Sequence, residues 1–195
     1  MDPTRKYDQI RDAVEDNLRL TTGAEEDRLL GLQPLLDHGD GATILDIGCH
    51  VGAVAEAFAR RGARLIHGVD IYRPGLRTAH ERLRPYNTET LFKRCDLAGG
   101  IPALKEAIPT LRSSYDIVLY LGMHHHLVHQ MPTEQLNQFT GGLMDVAGTF
   151  CAVRTSAKQL AELHDRFTER QFELWARHED YPRPVGPVRI YRRRT

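Results

Sequence analysis

The chain has 195 residues, within the ~100–200 of a typical domain, so a single α/β domain and little else is expected. Hydrophobic residues make up 41% and charged residues 27%, an ordinary globular composition that excludes a wholly disordered or fibrous protein. Twenty-six Lys and Arg balance 26 Asp and Glu, so net charge draws the chain neither to nucleic acid nor to an anionic membrane.

The start MDPTRKYDQIRD carries no apolar signal region, and runs such as Ile117 to Met123 fall far short of the ~20 residues needed to span a bilayer. A soluble, cytoplasmic protein with no membrane partner is the expectation. Cys49, Cys95 and Cys151 are odd in number and widely spaced, which suits neither a disulfide framework nor a local zinc pair, so they read as reduced thiols.

Taken in chain order, Tyr7 to Leu20 places Ile10, Val14, Leu18 and Leu20 near one helical face, and Ala24 to Leu36 reads as a second helix rich in leucine. Short apolar runs then alternate with helical stretches. Strands are predicted at 42–47, 65–69, 91–95, 115–121 and 149–154, the cadence of right-handed βαβ units in a parallel sheet. A helix follows at 157–169. The segments 172–178 and 188–193 have no helix between them, only the turn-rich stretch from Asp180 to Pro187, and should pair antiparallel. The predicted architecture is a Rossmann-like seven-stranded sheet, five parallel strands plus a C-terminal antiparallel hairpin, flanked by helices as an α/β/α sandwich. Residues 1–195 form one domain, with 1–40 an N-terminal helical cap.

The segment from Ile44 to Ala55 runs an apolar strand into a tight turn with Gly48 and Gly52, and a helix follows at once. Glycines let backbone approach a ligand, and a helix N-terminus presents unsatisfied N–H groups. The next strand ends in Val69-Asp70, where a carboxylate can accept hydrogen bonds from both hydroxyls of a ribose. The nicotinamide fingerprint G-x-G-x-x-G/A fits imperfectly, because His50 stands where the middle glycine lets backbone reach a pyrophosphate.

With D-I-G-C-H-V-G at 46–52, V-D at 69–70, C-D-L at 95–97 and Y-D-I-V-L-Y-L-G-M-H-H-H-L at 115–127, the sequence resembles the class I S-adenosylmethionine-dependent methyltransferases over residues 42–193. The reversed last strand agrees with the sheet of that family. The resemblance implies S-adenosyl-L-methionine as cofactor. It also implies that Asp46 and the backbone around Gly48, Cys49, His50 and Gly52 hold the methionine moiety, and that Asp70 holds the ribose. Asp96 would then meet the adenine amino group, with Ile71 and Leu97 against the ring and Leu121 beside the cofactor. Read from the residues alone, a turn cap is the lesser alternative for Asp96, and Cys49 and Cys95 suit small packing positions.

The acceptor side of the crevice should lie after the fourth strand, in Gly122-Met123-His124-His125-His126-Leu127-Val128-His129. Neutral imidazole takes a proton near neutral pH, so His124, His125 and His126 are the catalytic candidates. The family pattern G-x-x-x-H-L puts His126 on a position that is either a base or a structural hydrogen-bonding histidine. A metal site from His125 and His129 lacks a completing ligand within the run, and no metal is assigned. Arg154, ending the fifth strand, is the candidate substrate-binding clamp for a carboxylate or phosphate, or else pairs with a surface acid. Tyr72 and Arg73 either flank the adenine or are solvated.

Residues 181–195 hold Arg183, Arg189, Arg192, Arg193 and Arg194 and no acid, a hint of a polyanionic partner or a charged edge that blocks strand aggregation. The expected function is methyl transfer to oxygen or nitrogen of a small-molecule acceptor. Alternatives are an RNA methyltransferase of the tRNA type, a nicotinamide-dependent oxidoreductase, and a non-catalytic cofactor-binding protein. Oligomeric state is not read from the sequence.

Overall fold

The computed structural model describes residues 24–180 and 186–194. The predicted helix at 7–20 and the turn holding Arg183 lie outside the described residues.

Strand β1 (Thr43–Ile47) is buried along its whole length, as a strand covered on both faces by helices must be. Around it the sheet has the order β3-β2-β1-β4-β5-β7-β6, with β2 at Leu65–Asp70, β3 at Glu89–Arg94, β4 at Tyr115–Leu121, β5 at Ala147–Arg154, β6 at Phe172–His178 and β7 at Val188–Arg193. Strands β1 to β5 pair parallel, and β7 inserts between β5 and β6, antiparallel to both. The seven-stranded mixed sheet with a reversed hairpin strand is the one expected. Predicted and observed strand limits differ by at most two residues.

Period-two alternation sorts the strands onto two apolar layers. Ile44, Ile66, Ile117, Leu119, Phe150, Ala152 and Ile190 face one layer, packed with α2 (Gln33–Leu36), α3 (Ala53–Arg60) and Leu83 of α4 (Arg73–Leu83). Leu45, Ile47, Val118, Tyr120, Cys151, Val153 and Tyr191 face the other, packed with α5 (Gly100–Ala107), α7 (Thr133–Val146) and α8 (Ala157–Glu169). Between β4 and α7 lies the single turn α6 (His124–Leu127).

The expected helix at 24–36 is two helices. α1 (Ala24–Leu29) ends before Gly31, whose φ of 73° belongs to a turn, and Pro34 opens α2, where its missing N–H costs nothing.

The arginine-rich tail is largely drawn into the fold. Arg193 donates from Nε and Nη2 to the carbonyls of Ala147 and Met144, at 2.9 and 2.7 Å, and lies 4.4 Å over the Phe172 ring. Arg192 pairs with Glu173, and Arg189 donates to the Leu160 carbonyl at 3.1 Å. Replacing Arg193 with Met is expected to lower stability by about 2–4 kcal/mol, read by urea unfolding, because two carbonyl partners lose charged donors.

Candidate functional site

Parallel pairing of β1 with β2 sets Asp46 opposite Gly68 and Ile47 opposite Val69, so both strands end at the same level. The chain leaving β1 stays tied to β2. The N–H groups of Gly48 and Cys49 both donate to the Val69 carbonyl, at 2.8 and 3.0 Å. From there the turn climbs through His50 to Gly52, which sits in the left-handed region at φ 73° and opens α3. This is an open α/β sheet with its crevice at the carboxyl ends of the strands, and β1, β2 and β4 end there together.

Two carboxylates define the floor. Asp46 is 3% exposed, and among the described residues no group donates to its Oδ2. Burial, with the Asp70 charge adding to it and Arg28 opposing it, pushes its pKa from 3.8 up to about 7. Asp70 is fully partnered at the backbone level, since Oδ2 accepts the His50 N–H at 2.9 Å and Oδ1 accepts the Tyr72 N–H at 2.8 Å. Each oxygen retains a lone pair for a further donor. The space over Gly48 is lined by Met123, whose Cγ and Sδ lie where a Cβ on residue 48 would stand, so only glycine fits this approach of the two loops.

The residues expected around the adenine lie at the ends of β2, β3 and β4, with Leu97 in one apolar layer and Leu121 in the other. Ile71 is half-buried after Asp70, Leu97 is 4% exposed, and Leu121 is half-buried against the layer of α2 and α3. Asp96 is exposed and caps the turn at Leu97–Gly99, its Oδ1 accepting the Ala98 N–H at 3.0 Å. Its turn-cap reading is therefore met. Cys49 is buried under Gly68, and burial together with Asp46 and Asp70 raises its thiol well above the usual range, so it is no nucleophile.

The three candidate histidines part company. His124 is 5% exposed and turns into the layer opposite Asp46, where its Nδ1 meets the Tyr120 hydroxyl at 3.2 Å. Burial and Arg166 lower its pKa to about 4. The expected substrate contact is corrected here: in the one-turn α6, positions 124 and 127 face the core and 125 and 126 face solvent. His125 and His126 are exposed with ring centroids 3.9 Å apart. Partial desolvation and neighbouring histidines lower both pKa values, while Asp70 acts on His126 in the opposite sense. Of the three, His126 is the one on whose pKa the Asp70 charge acts. Among the described residues no cluster of three His, Cys, Asp or Glu is placed to hold a metal ion.

Arg154 also departs from its expected role as a substrate clamp. It is 4% exposed, and its Nη1 and Nη2 donate to the carbonyls of Arg28 and Leu30 at 2.7 and 2.5 Å. Its planar fork is spent on the chain end of α1, where two carbonyls lack helical partners. Burial and the nearby Arg28 charge lower its pKa to about 10, leaving it cationic at neutral pH. Arg28 in turn reaches the glycine turn, its Nη1 3.3 Å from Nδ1 of His50. Sequence reasoning missed Arg28. No motif marks it, because the contact joins residues 22 positions apart through the fold of the N-terminal segment.

A family model described as a methyltransferase domain matches residues 44–143, from β1 through most of α7. The chain belongs to the methyltransferase-domain family. A ubiquinone biosynthesis O-methyltransferase of Neisseria meningitidis serogroup C (strain 053442) is 34% identical over 92 residues, 46% of this chain and 36% of the relative. This methyltransferase-domain chain therefore matches only about a third of the length of the curated relatives. Among solved structures, magnesium protoporphyrin IX methyltransferase from Synechocystis PCC 6803 with bound SAH gives a TM-score of 0.67 at 19% identity, covering 99% of this chain and 100% of that one. A putative RNA methyltransferase from Pyrococcus horikoshii gives 0.60 at 16% identity over 87% and 80%. At these identities the likeness establishes the fold.

Two outcomes are expected. Because Asp46 binds its proton more tightly folded than unfolded, stability should fall as pH rises from about 4 to about 7 and level off above. Asp46→Asn should remove that loss and be more stable than wild type at pH 8, in urea unfolding across this range. Arg154→Met should cost about 3 kcal/mol by stranding two carbonyls and should speed tryptic cleavage after Arg28.

Proposed function

We propose that the chain is an S-adenosylmethionine-dependent methyltransferase acting on oxygen or nitrogen of a small-molecule acceptor. The observation that carries this reading is the unpartnered, buried Oδ2 of Asp46 beside the Asp70 carboxylate at the mouth of a glycine turn. The Arg28 charge offsets the burial of Asp46 only in part, and a ligand bearing an ammonium and a sulfonium supplies a further cation. When bound, the cofactor supplies a methyl carbon already activated by the sulfonium, so the protein has chiefly to position the acceptor.

The chain's own residues divide that work. Asp46 would hold the methionine ammonium, with the turn of Gly48, Cys49, His50 and Gly52 along it. Asp70, oriented by the N–H groups of His50 and Tyr72, would accept from the ribose hydroxyls. Asp96 keeps one oxygen for the adenine amino group while capping its own turn, and Ile71, Leu97 and Leu121 supply apolar walls. His126, exposed after β4 and with its pKa lowered chiefly by partial desolvation, would orient the acceptor and take its proton, with His125 beside it. The ubiquinone O-methyltransferase and magnesium protoporphyrin methyltransferase relatives support a small acceptor.

The other classes are less well supported. A nicotinamide dinucleotide would bring its pyrophosphate to a turn that already holds two carboxylates and a histidine in place of the middle glycine. An RNA acceptor has the Pyrococcus relative behind it, yet Arg189, Arg192 and Arg193 are bonded within the fold. No described helix is long and apolar enough to cross a membrane.

Isothermal titration is the test. S-adenosylmethionine and S-adenosylhomocysteine should bind and NADH should not, and Asp70→Ala should lose about 2–4 kcal/mol of cofactor affinity through two stranded ribose hydrogen bonds. Binding of NADH instead would overturn the assignment. Once an acceptor is found, His126→Ala should lower kcat by about 10²–10⁴ with cofactor affinity unchanged, and a kcat within a few-fold of wild type would remove the base role.

A further inference from the structure

The open sheet has two edges, and they differ. At one, β6 loses its register with β7 between Leu174 and Ala176, and its Glu173 is ion-paired to Arg192. An irregular edge of this kind resists the addition of a further strand. At the other, β3 keeps a regular register with β2 over all six residues from Glu89 to Arg94, without a bulge or a proline. The N–H of Glu89 donates to the Arg64 carbonyl and that of Cys95 to the Asp70 carbonyl, so the odd positions of β3 bond inward to β2. The backbone groups of Thr90, Phe92 and Arg94 therefore face outward, and among the described residues no strand pairs with that side.

α4 overhangs this open edge with arginines. It packs on β3 and β2, whereas α3 packs on β2. Its buried residues Leu76, Ala79 and Leu83 face the sheet, and Arg82 turns to Glu56 of α3 at 3.1 Å. At ~100° per residue, Arg73, Arg77, His80 and Arg84 fall within an arc of about 60° on the flank opposite Arg82, which is the flank away from α3 and over the edge. Glu81 lies outside that arc. All four side chains are exposed, and among the described residues none of them makes an ion pair or a hydrogen bond. Exposed Arg94 lies on the same side of the sheet, because alternate residues share a face and Phe92 packs in the layer of α3 and α4.

We propose that the β3 edge takes an extended acidic segment of a partner protein as an eighth strand, its alternate carboxylates set against Arg73, Arg77, Arg84 and Arg94. The spacing suits this. Residues four apart on a helix are separated by ~6 Å along its axis, and alternate residues of a strand by ~6.7 Å. Main-chain bonds to the outward groups of β3 supply affinity, and acids at every second position supply selectivity, since the intervening side chains point away from α4. A folded partner would need an apolar anchor, and no large apolar side chain on this flank is exposed. Like charges keep a second copy of the edge from pairing with the first, while the same arginines attract an acidic strand. The edge is separate from the crevice, so the proposal does not rest on the cofactor reading.

Fluorescence anisotropy on the full chain tests the edge, with a fluorescein-labelled ten-residue peptide that alternates threonine and glutamate. It should bind with a Kd below about 100 μM, and a peptide of five threonines followed by five glutamates, equal in charge, should bind about tenfold more weakly. The double variant Arg77→Glu, Arg84→Glu should also lose about tenfold, and added salt should weaken wild-type binding. Thr90→Pro removes an outward N–H only, so it should keep a melting temperature within about 5 °C of wild type and still lose about tenfold in affinity. Should that variant not fold, the peptide carries the same test. N-methylation at its glutamates or at its threonines should abolish binding in one case and spare it in the other, because only alternate N–H groups of an added strand face β3. Equal binding of the two peptides, no binding of the alternating one at about 1 mM, or unchanged affinity in folded Thr90→Pro would overturn the proposal. So would a ten-nucleotide oligouridylate that binds more tightly than the alternating peptide and is lost in the arginine variant, which would make the face a phosphate-backbone surface.

Discussion

Everything at this site depends on the parallel register of β1 and β2, which brings two carboxylates to the ends of adjacent strands. The Val69 carbonyl takes the N–H groups of both Gly48 and Cys49, so the turn leaving β1 cannot drift from the end of β2. Asp70 then reaches back and takes the N–H of His50. Asp46 is left beneath, and among the described residues no group donates to its buried Oδ2. Like charges placed this close in a desolvated floor are unfavourable alone, and the arrangement makes sense when a cation is delivered to it.

The sheet carries the second half of the crevice by the same logic. β4 lies between β1 and β5, so the loop after it opens beside the glycine turn, with Met123 on Gly48 and His126 within the field of Asp70. The single turn α6 decides which histidines are exposed. Adjacent residues on a helix point about 100° apart, so a run of three cannot all face one crevice. His124 joins Tyr120 in the core, and His125 and His126 remain outside.

Two arginines act on backbone at opposite ends of β5. Arg154 gives two donors to carbonyls at the α1 terminus, and Arg193 gives two to carbonyls where α7 passes into β5. In a linear sequence these residues look like substrate clamps or a polyanion-binding tail. Only the fold reveals that their partners are carbonyls of the same chain. The cluster of arginines at 189–193 thereby becomes the fastening of an inserted antiparallel strand, and its electrostatic reach is correspondingly shortened by pairing.

Local pattern alone determined much of this protein. The apolar runs, their spacing and the turn-rich breaks specify seven strands, their helices and the reversed hairpin, because strand periodicity and connection length are short-range properties. Glycines at 48 and 52 and acids at 46, 70 and 96, each at a strand end, located the crevice for the same reason. The tertiary structure decided what depends on partners distant in sequence. It split the helix at 24–36, turned His124 inward, spent Arg154 on carbonyls more than 120 residues away, and set Arg28 against His50. A side chain's type says what it can bond, and only the folded neighbourhood, through burial and geometry, says which bond it makes.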